Sequence, residues 1–274
     1  MTLPPVHQDL TPVPFHVDQQ SPELDKALYD KELHDAIDHA HGTEDMVYAP
    51  AMSPHQMRSM LLRPELLEAA NRVWLPSGFH YGLHIEHHSL ENAGPMQGGG
   101  NKWCWHITVS PWMAVDAMFG VLRDKRAAPH FVIGGRPGVK NPVVIQMIPL
   151  NLAGRALAHP SGPPTNQADT IQVEICANTS DIAAWKASDK HYKAFANLVR
   201  LTNNVLTSSH DVPRELGRKF SDTERFSGQG WVDTKGHVGH MHCPGNDHTD
   251  PTTKFRGQNI MDLLEKMPKG GYKL

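Results

Sequence analysis

The sequence predicts an α/β protein, a mixed central β-sheet flanked by helices and preceded by a small helical N-terminal region. Three observations carry this. Short apolar runs of strand length mix with longer runs at helical spacing across residues 95–274. Residues 170–176 alternate strictly, with Ile171, Val173 and Ile175 on one face and Gln172, Glu174 and Cys176 on the other. Residues 21–75, by contrast, show helical spacing alone.

The elements follow in order. Residues 1–20 are polar and rich in proline, and read as an extended arm. Ser21-Pro22 is a helix start, a capping serine followed by proline at the first helical position. Leu24, Leu28, Leu33 and Ile37 give it a rough stripe to about His41. Ser53-Pro54 repeats the signal, and Met57, Met60, Leu61, Leu66, Leu67, Ala70 and Val73 continue it across Pro64. This region offers no chemistry and reads as a packing or docking element. Residues 91–101, with Gly98-Gly99-Gly100, read as a loop or linker, so the expected domains are 1–90 and 91–274. Strands are expected from Trp103 to Thr108, His130 to Gly134, Val143 to Ile148 and Thr170 to Cys176. A long helix should run from about Ile182 to Leu206, its buried stripe marked by Tyr192, Phe195, Val199, Thr202 and Leu206. A short strand around Val238 and a final helix carrying Ile260, Leu263, Leu264 and Met267 complete the chain.

Composition narrows the function classes. A net charge of -3 and a pI near 6.7 argue against a nucleic-acid binder driven by phosphate attraction. The longest mostly apolar stretch, Val143 to Ala153, is too short to span a bilayer and contains Pro149, so no membrane insertion is expected. The first residues lack the basic start and apolar run of a secretory signal. Cys104, Cys176 and Cys243 form no disulfide framework, which fits synthesis in a reducing compartment. The 19 histidines justify a search for a metal site.

The densest chemistry lies between Gly239 and Pro251. His240, His242, Cys243, Asp247, His248 and Asp250 crowd one short segment. Imidazole and carboxylate are good zinc ligands, and a catalytic zinc needs three protein ligands with one position left open. A loop that folds back can offer two of them; a rigid site needs the third from a distant strand. His106 is the candidate, because alternation in Trp103-Cys104-Trp105-His106 sets Cys104 and His106 on the face opposite the tryptophans, at a strand end. Around His240, His237 and His242 on either side and Cys243 compete for the remaining places. His84, His87 and His88 form another histidine group, which reads as a solvated cluster, and His130, heading a strand, reads as structural.

Four runs occur in order: Trp105-His106-Ile107-Thr108, His130-Phe131-Val132-Ile133, Thr165-Asn166 followed by Ile171-Gln172-Val173-Glu174-Ile175, and Gly239-His240 through Asp250-Pro251. Together they resemble the type-2 N-acetylmuramoyl-L-alanine amidases, which share the peptidoglycan-recognition-protein fold, and most of all the endolysins of bacteriophages that infect actinobacteria. The resemblance covers about residues 92–268. It implies one zinc ion held by His106, His240 and Asp250, and a catalytic Glu174. His248 stands where the family usually carries an assisting lysine, and Thr252 where it prefers glycine. His159 and Asn166 are expected to line the substrate cleft, ordinary loop polarity being the alternative. The implied activity is hydrolysis of the amide between N-acetylmuramic acid and L-alanine. The implied partner is peptidoglycan, reached either from the host cytoplasm through a holin-type pore or from a virion whose tail the N-terminal region would dock. A non-catalytic peptidoglycan-binding module and a bacterial muropeptide-recycling amidase are the competing readings.

Overall fold

A computed structural model describes residues 72–157, 165–206 and 211–274. The expected helices between residues 21 and 71 lie outside these. Among the described residues seven strands make one mixed sheet: β1 (Gly78–His80), β2 (Leu83–His87), β3 (Lys102–Ile107), β4 (Phe131–Arg136), β5 (Val139–Gln146), β6 (Thr170–Ile175) and β7 (Gly236–Gly239). Their spatial order is β1-β2-β5-β4-β6-β3-β7. The β1/β2 and β4/β5 pairs are antiparallel hairpins; the β2/β5, β4/β6, β3/β6 and β3/β7 pairs are parallel. Among the described residues five α-helices accompany them: α1 (Val115–Asp124), α2 (Thr179–Ala184), α3 (Lys190–Val205), α4 (Gly228–Asp233) and α5 (Gly257–Glu265).

The alternation of β3 and β6 sorts the core. Trp103, Trp105, Ile171, Val173 and Ile175 join Phe131 and Ile133 on one face, under Tyr192, Phe195 and Val199 of α3 and Ile260 and Leu264 of α5. The Trp105 ring meets Phe195 at 5.6 Å and Phe255 at the same separation. Truncating such a fully buried ring costs about 3–5 kcal/mol. On the other face, Val132, Val143, Ile145 and Cys176 pack under Val115 and Leu122 of α1. Cys104 and Val238 pack under Trp231 of α4 on that face. In strand order, the ends of β6 and β3 lie between these two satellite clusters, and there the second face carries Glu174 and His106 instead of apolar groups.

Several expectations need correction. The compact unit begins at Arg72, not at residue 91. β1 and β2 belong to the sheet, because Leu83 and Ile85 alternate into the core; the histidines between and after them hide that period. Residues 91–101 are accordingly a loop of this unit, fixed by Ala93 N donating to Ala153 O (2.8 Å) and Gln97 N to Gln167 O (2.8 Å). Residues 72–75, expected to end a helix, are not helical; Leu75 is buried and its backbone N–H donates to Gln146 Oε1 (2.9 Å).

The long helix from Ile182 is two helices. Asn178 and Asp181 form a capping box that starts α2. Trp185 then turns extended and stacks on His191 at 4.0 Å, and Asp189, also extended, accepts from Lys186 N before α3 begins. Finally, α1 has no counterpart among the expected elements; it fills the segment between β3 and β4, and of its own residues only Val115 and Leu122 are buried.

Candidate metal centre

The register of β3 against β6 pairs His106 with Glu174, so two residues far apart in sequence share a face as neighbours. The register of β3 against β7 ends at Trp105 and Gly239, so the chain leaves β7 with His240 beside His106. His240 opens a single 3-10 turn through His242. The loop then returns: Met241 N donates to Asp250 O (2.8 Å), which closes its base and brings Asp250 back to His240. Gly239 makes the closure possible, since a Cβ there would lie 2.7 Å from Pro251 Cδ.

The result is a compact cluster. His106 Nδ1 and His240 Nδ1 face each other at 3.0 Å. Asp250 Oδ1 is 3.3 Å from His240 Nδ1, and Asp250 Oδ2 is 3.8 Å from His106 Nδ1. Both rings are buried and Asp250 is largely so. His106 Nε2, His240 Nε2 and Glu174 Oε2 are buried with no hydrogen-bond partner. Among the described residues this is the one group of three metal-ligating side chains whose atoms lie within 4.8 Å of one another. Ligands held at about 2.0–2.1 Å around a tetrahedral zinc stand about 3.3 Å apart. The three separations bracket that value, and the donor set of two imidazoles and a carboxylate suits zinc.

Electrostatics agree with a site short of positive charge. Burial, then the neighbouring His240, pushes His106 down to about 3, so its ring brings lone pairs rather than a second proton. Burial alone would raise Asp250, but hydrogen bonds from His240 and His248 outweigh it and hold the carboxyl below the ordinary range. Burial, reinforced by Asp250, raises Glu174 to about 8. Its Oε1 lies 3.7 Å from His106 Nδ1. A bound cation reverses this logic and favours the carboxylate form.

The remaining expected residues separate. His248 sits half-exposed at the lip, its ring stacked on His240 at 3.9 Å and its Nδ1 3.2 Å from Asp250 Oδ1. That contact raises its pKa. Asn166 is engaged by the protein itself: its Oδ1 accepts from Leu157 N (3.1 Å) and Gln172 Nε2 (2.9 Å), and its Nδ2 donates to Leu157 O (2.7 Å). It anchors its own loop, the alternative noted for it. His159 lies outside the described residues.

The competing ligands are elsewhere. His237 is in the core, stacked on Trp103 and Trp105 and accepting at Nδ1 from Trp105 Nε1 (3.0 Å). His242 has both ring nitrogens committed to backbone groups. Burial drives the Cys243 thiol up to about 12, deep in the cluster under α4. The histidine group on β2 is split. His84 and His88 lie 3.6 and 3.7 Å from Glu86, itself clamped by Arg136, while His87 turns away to Leu75 O (2.8 Å).

No family model matches the sequence, and no curated protein matches it. Solved structures do. The endolysin N-acetylmuramoyl-L-alanine amidase LysCS from Clostridium intestinale is 14% identical, with a TM-score of 0.39 over 69% of this chain and 99% of its own. The hydrolase AmiA from Staphylococcus aureus is 13% identical, with a TM-score of 0.38 over 80% of this chain and 92% of its own. A glutamate-to-alanine point mutant of PlyL is 17% identical, with a TM-score of 0.36 over 60% of this chain and 85% of its own. At these identities and TM-scores the likeness assigns no residue and no activity, and the chain is described by its own geometry as an α/β protein with a His-His-Asp centre beside a largely buried glutamate.

Proposed function

We propose that this protein is a zinc-dependent hydrolase that cuts the amide between N-acetylmuramic acid and L-alanine in peptidoglycan, acting as a phage lysin. One observation carries the reading: His106, His240 and Asp250, from a strand end and both ends of a loop, converge at ligand spacing next to Glu174. The ordered motifs along the chain supply the substrate and the phage setting.

His106, His240 and Asp250 would hold the ion, which when bound polarises a carbonyl and makes a water molecule easier to deprotonate. Glu174 is the general base. Its Oε2 has no protein partner and can take a proton from the attacking water. The same carboxyl then delivers that proton to the L-alanine nitrogen as the amide breaks. His248 stands at the lip, where a ring N–H can donate to the lactyl carbonyl oxygen as negative charge grows there.

The test is metal removal followed by product analysis. Stripped protein should lose activity on purified peptidoglycan and regain it with zinc, and mass spectrometry should find new free L-alanine amino termini. Activity unchanged by stripping contradicts the metal role; any other new end group contradicts the bond assignment.

A further inference from the structure

We infer that residues 218–226 form a strap that holds the ligand loop in shape, with His242 as its central positioning residue. The inference rests on the metal reading above. His242 is fully buried, two residues after the ligand His240, and each of its ring nitrogens has one backbone partner. Nδ1 accepts from Gly239 N (3.0 Å), the residue just before His240. Nε2 donates to Asp222 O (2.9 Å). These two bonds fix both the tautomer and the ring plane. The same residue's carbonyl accepts from Phe226 N (2.9 Å), so side chain and backbone of His242 are tied to two points of one short segment.

A further tie reaches the far end of the loop. Arg225 Nη2 donates to His248 O (3.2 Å), two residues before Asp250. The strap is itself braced. Arg218 lies 4.1 Å over the Phe226 ring and pairs with Asp222 and Glu224 at 3.2 Å each. Phe220 fills the space beside Gly239, where a Cβ would lie 3.1 Å from its ring. The strap acts on the backbone at Gly239, His242 and His248, which sets where His240 and Asp250 point. Partners outside a metal's own ligands typically alter its affinity by about 10–100-fold when removed.

The experiment measures zinc affinity by chelator competition on full-length protein, with the thermal melt of the metal-free form as a folding control. His242→Phe keeps an aromatic ring and removes both bonds. Its zinc affinity should fall about ten-fold or more, with KM at saturating zinc unchanged. His242→Gln, which can still donate to Asp222 O, should recover part of the loss. Arg225→Ala, at an exposed position, should lower affinity by about two- to ten-fold, the share of one hydrogen bond. A purely structural histidine would lower the melting temperature and leave the zinc affinity of folded protein unaltered; that result for His242→Phe overturns the inference. Should His242→Phe not fold, Arg225→Ala decides alone, and wild-type affinity there overturns it. Wild-type protein that takes up no zinc overturns the metal reading itself, which separates the two failures.

Discussion

Two buried corners of the sheet are built around histidine, and they treat its nitrogens oppositely. At the start of β4, His130 accepts at Nδ1 from Gln172 N (3.0 Å) and donates from Nε2 to Leu152 O (2.8 Å). Both nitrogens of a neutral ring are satisfied, and burial lowers its pKa to about 4. At the ends of β3 and β7, His106 and His240 turn their Nδ1 atoms on each other and on Asp250, and leave both Nε2 atoms unpartnered. Buried polar groups are normally satisfied, because an unmet one costs about 1–3 kcal/mol. The first corner obeys that rule with backbone alone. The second gathers two Nδ1 atoms and a carboxylate at ligand spacing, which a cation completes, and keeps its two Nε2 atoms without a protein partner besides.

Substitution should separate the corners most sharply. His106→Ala or His240→Ala should abolish zinc uptake and cut activity by about 10³-fold or more, the scale of several kcal/mol of lost charge stabilisation. His130→Ala should instead destabilise by about 3 kcal/mol, through the cavity and two orphaned backbone groups, while folded protein still binds zinc. Titration calorimetry and thermal melts read both, and a zinc-binding defect in His130→Ala would break the contrast. Glu174→Gln should leave zinc affinity intact and lower kcat by about 10²–10⁴-fold; a parallel loss of zinc would make Glu174 a ligand instead.

Acid should act on metal-free protein through its buried histidines, His106 and His237 as well as His130, and the inert corner reads one of them apart from the centre. The folded pKa of His130 lies below its unfolded value of 6.5, so between about 4 and 6.5 the unfolded chain binds more protons. Stability is therefore complete above that window and falls as pH drops through it, by up to about 3 kcal/mol from this residue. Melting of metal-free protein against pH should show the fall, with a flatter profile for His130→Gln. The smallest effect belongs to the lip: His248→Ala should lower kcat by about ten-fold or less with zinc affinity nearly unchanged, since its ring is half-exposed and screened.

Much of the sheet is legible in the sequence because alternation is a local signal. Trp103 and Trp105 against Cys104 and His106, and Ile171, Val173 and Ile175 against Gln172 and Glu174, sort to opposite faces as the sequence reads. Leu83 and Ile85 carry the same signal in β2, but the histidines around them read first as chemistry and displace the expected domain boundary. The break before α3 depends on Trp185 finding His191 and Trp112, contacts of tertiary origin. Candidate ligands are legible as residue types in ordered motifs. What tells His240 from His237 and His242 is where the fold puts each ring: His237 lies in the core against Trp103 and Trp105, and His242 has both nitrogens held by the Gly239 and Asp222 backbone.

X-ray absorption at the zinc edge tests the centre most directly. Wild-type protein loaded with one equivalent of zinc should show a first shell of nitrogen and oxygen at about 2.0–2.1 Å, with the scattering pattern of two imidazoles. A sulfur shell at about 2.3 Å would bring Cys243 or Cys104 into the site and contradict the His106, His240 and Asp250 set.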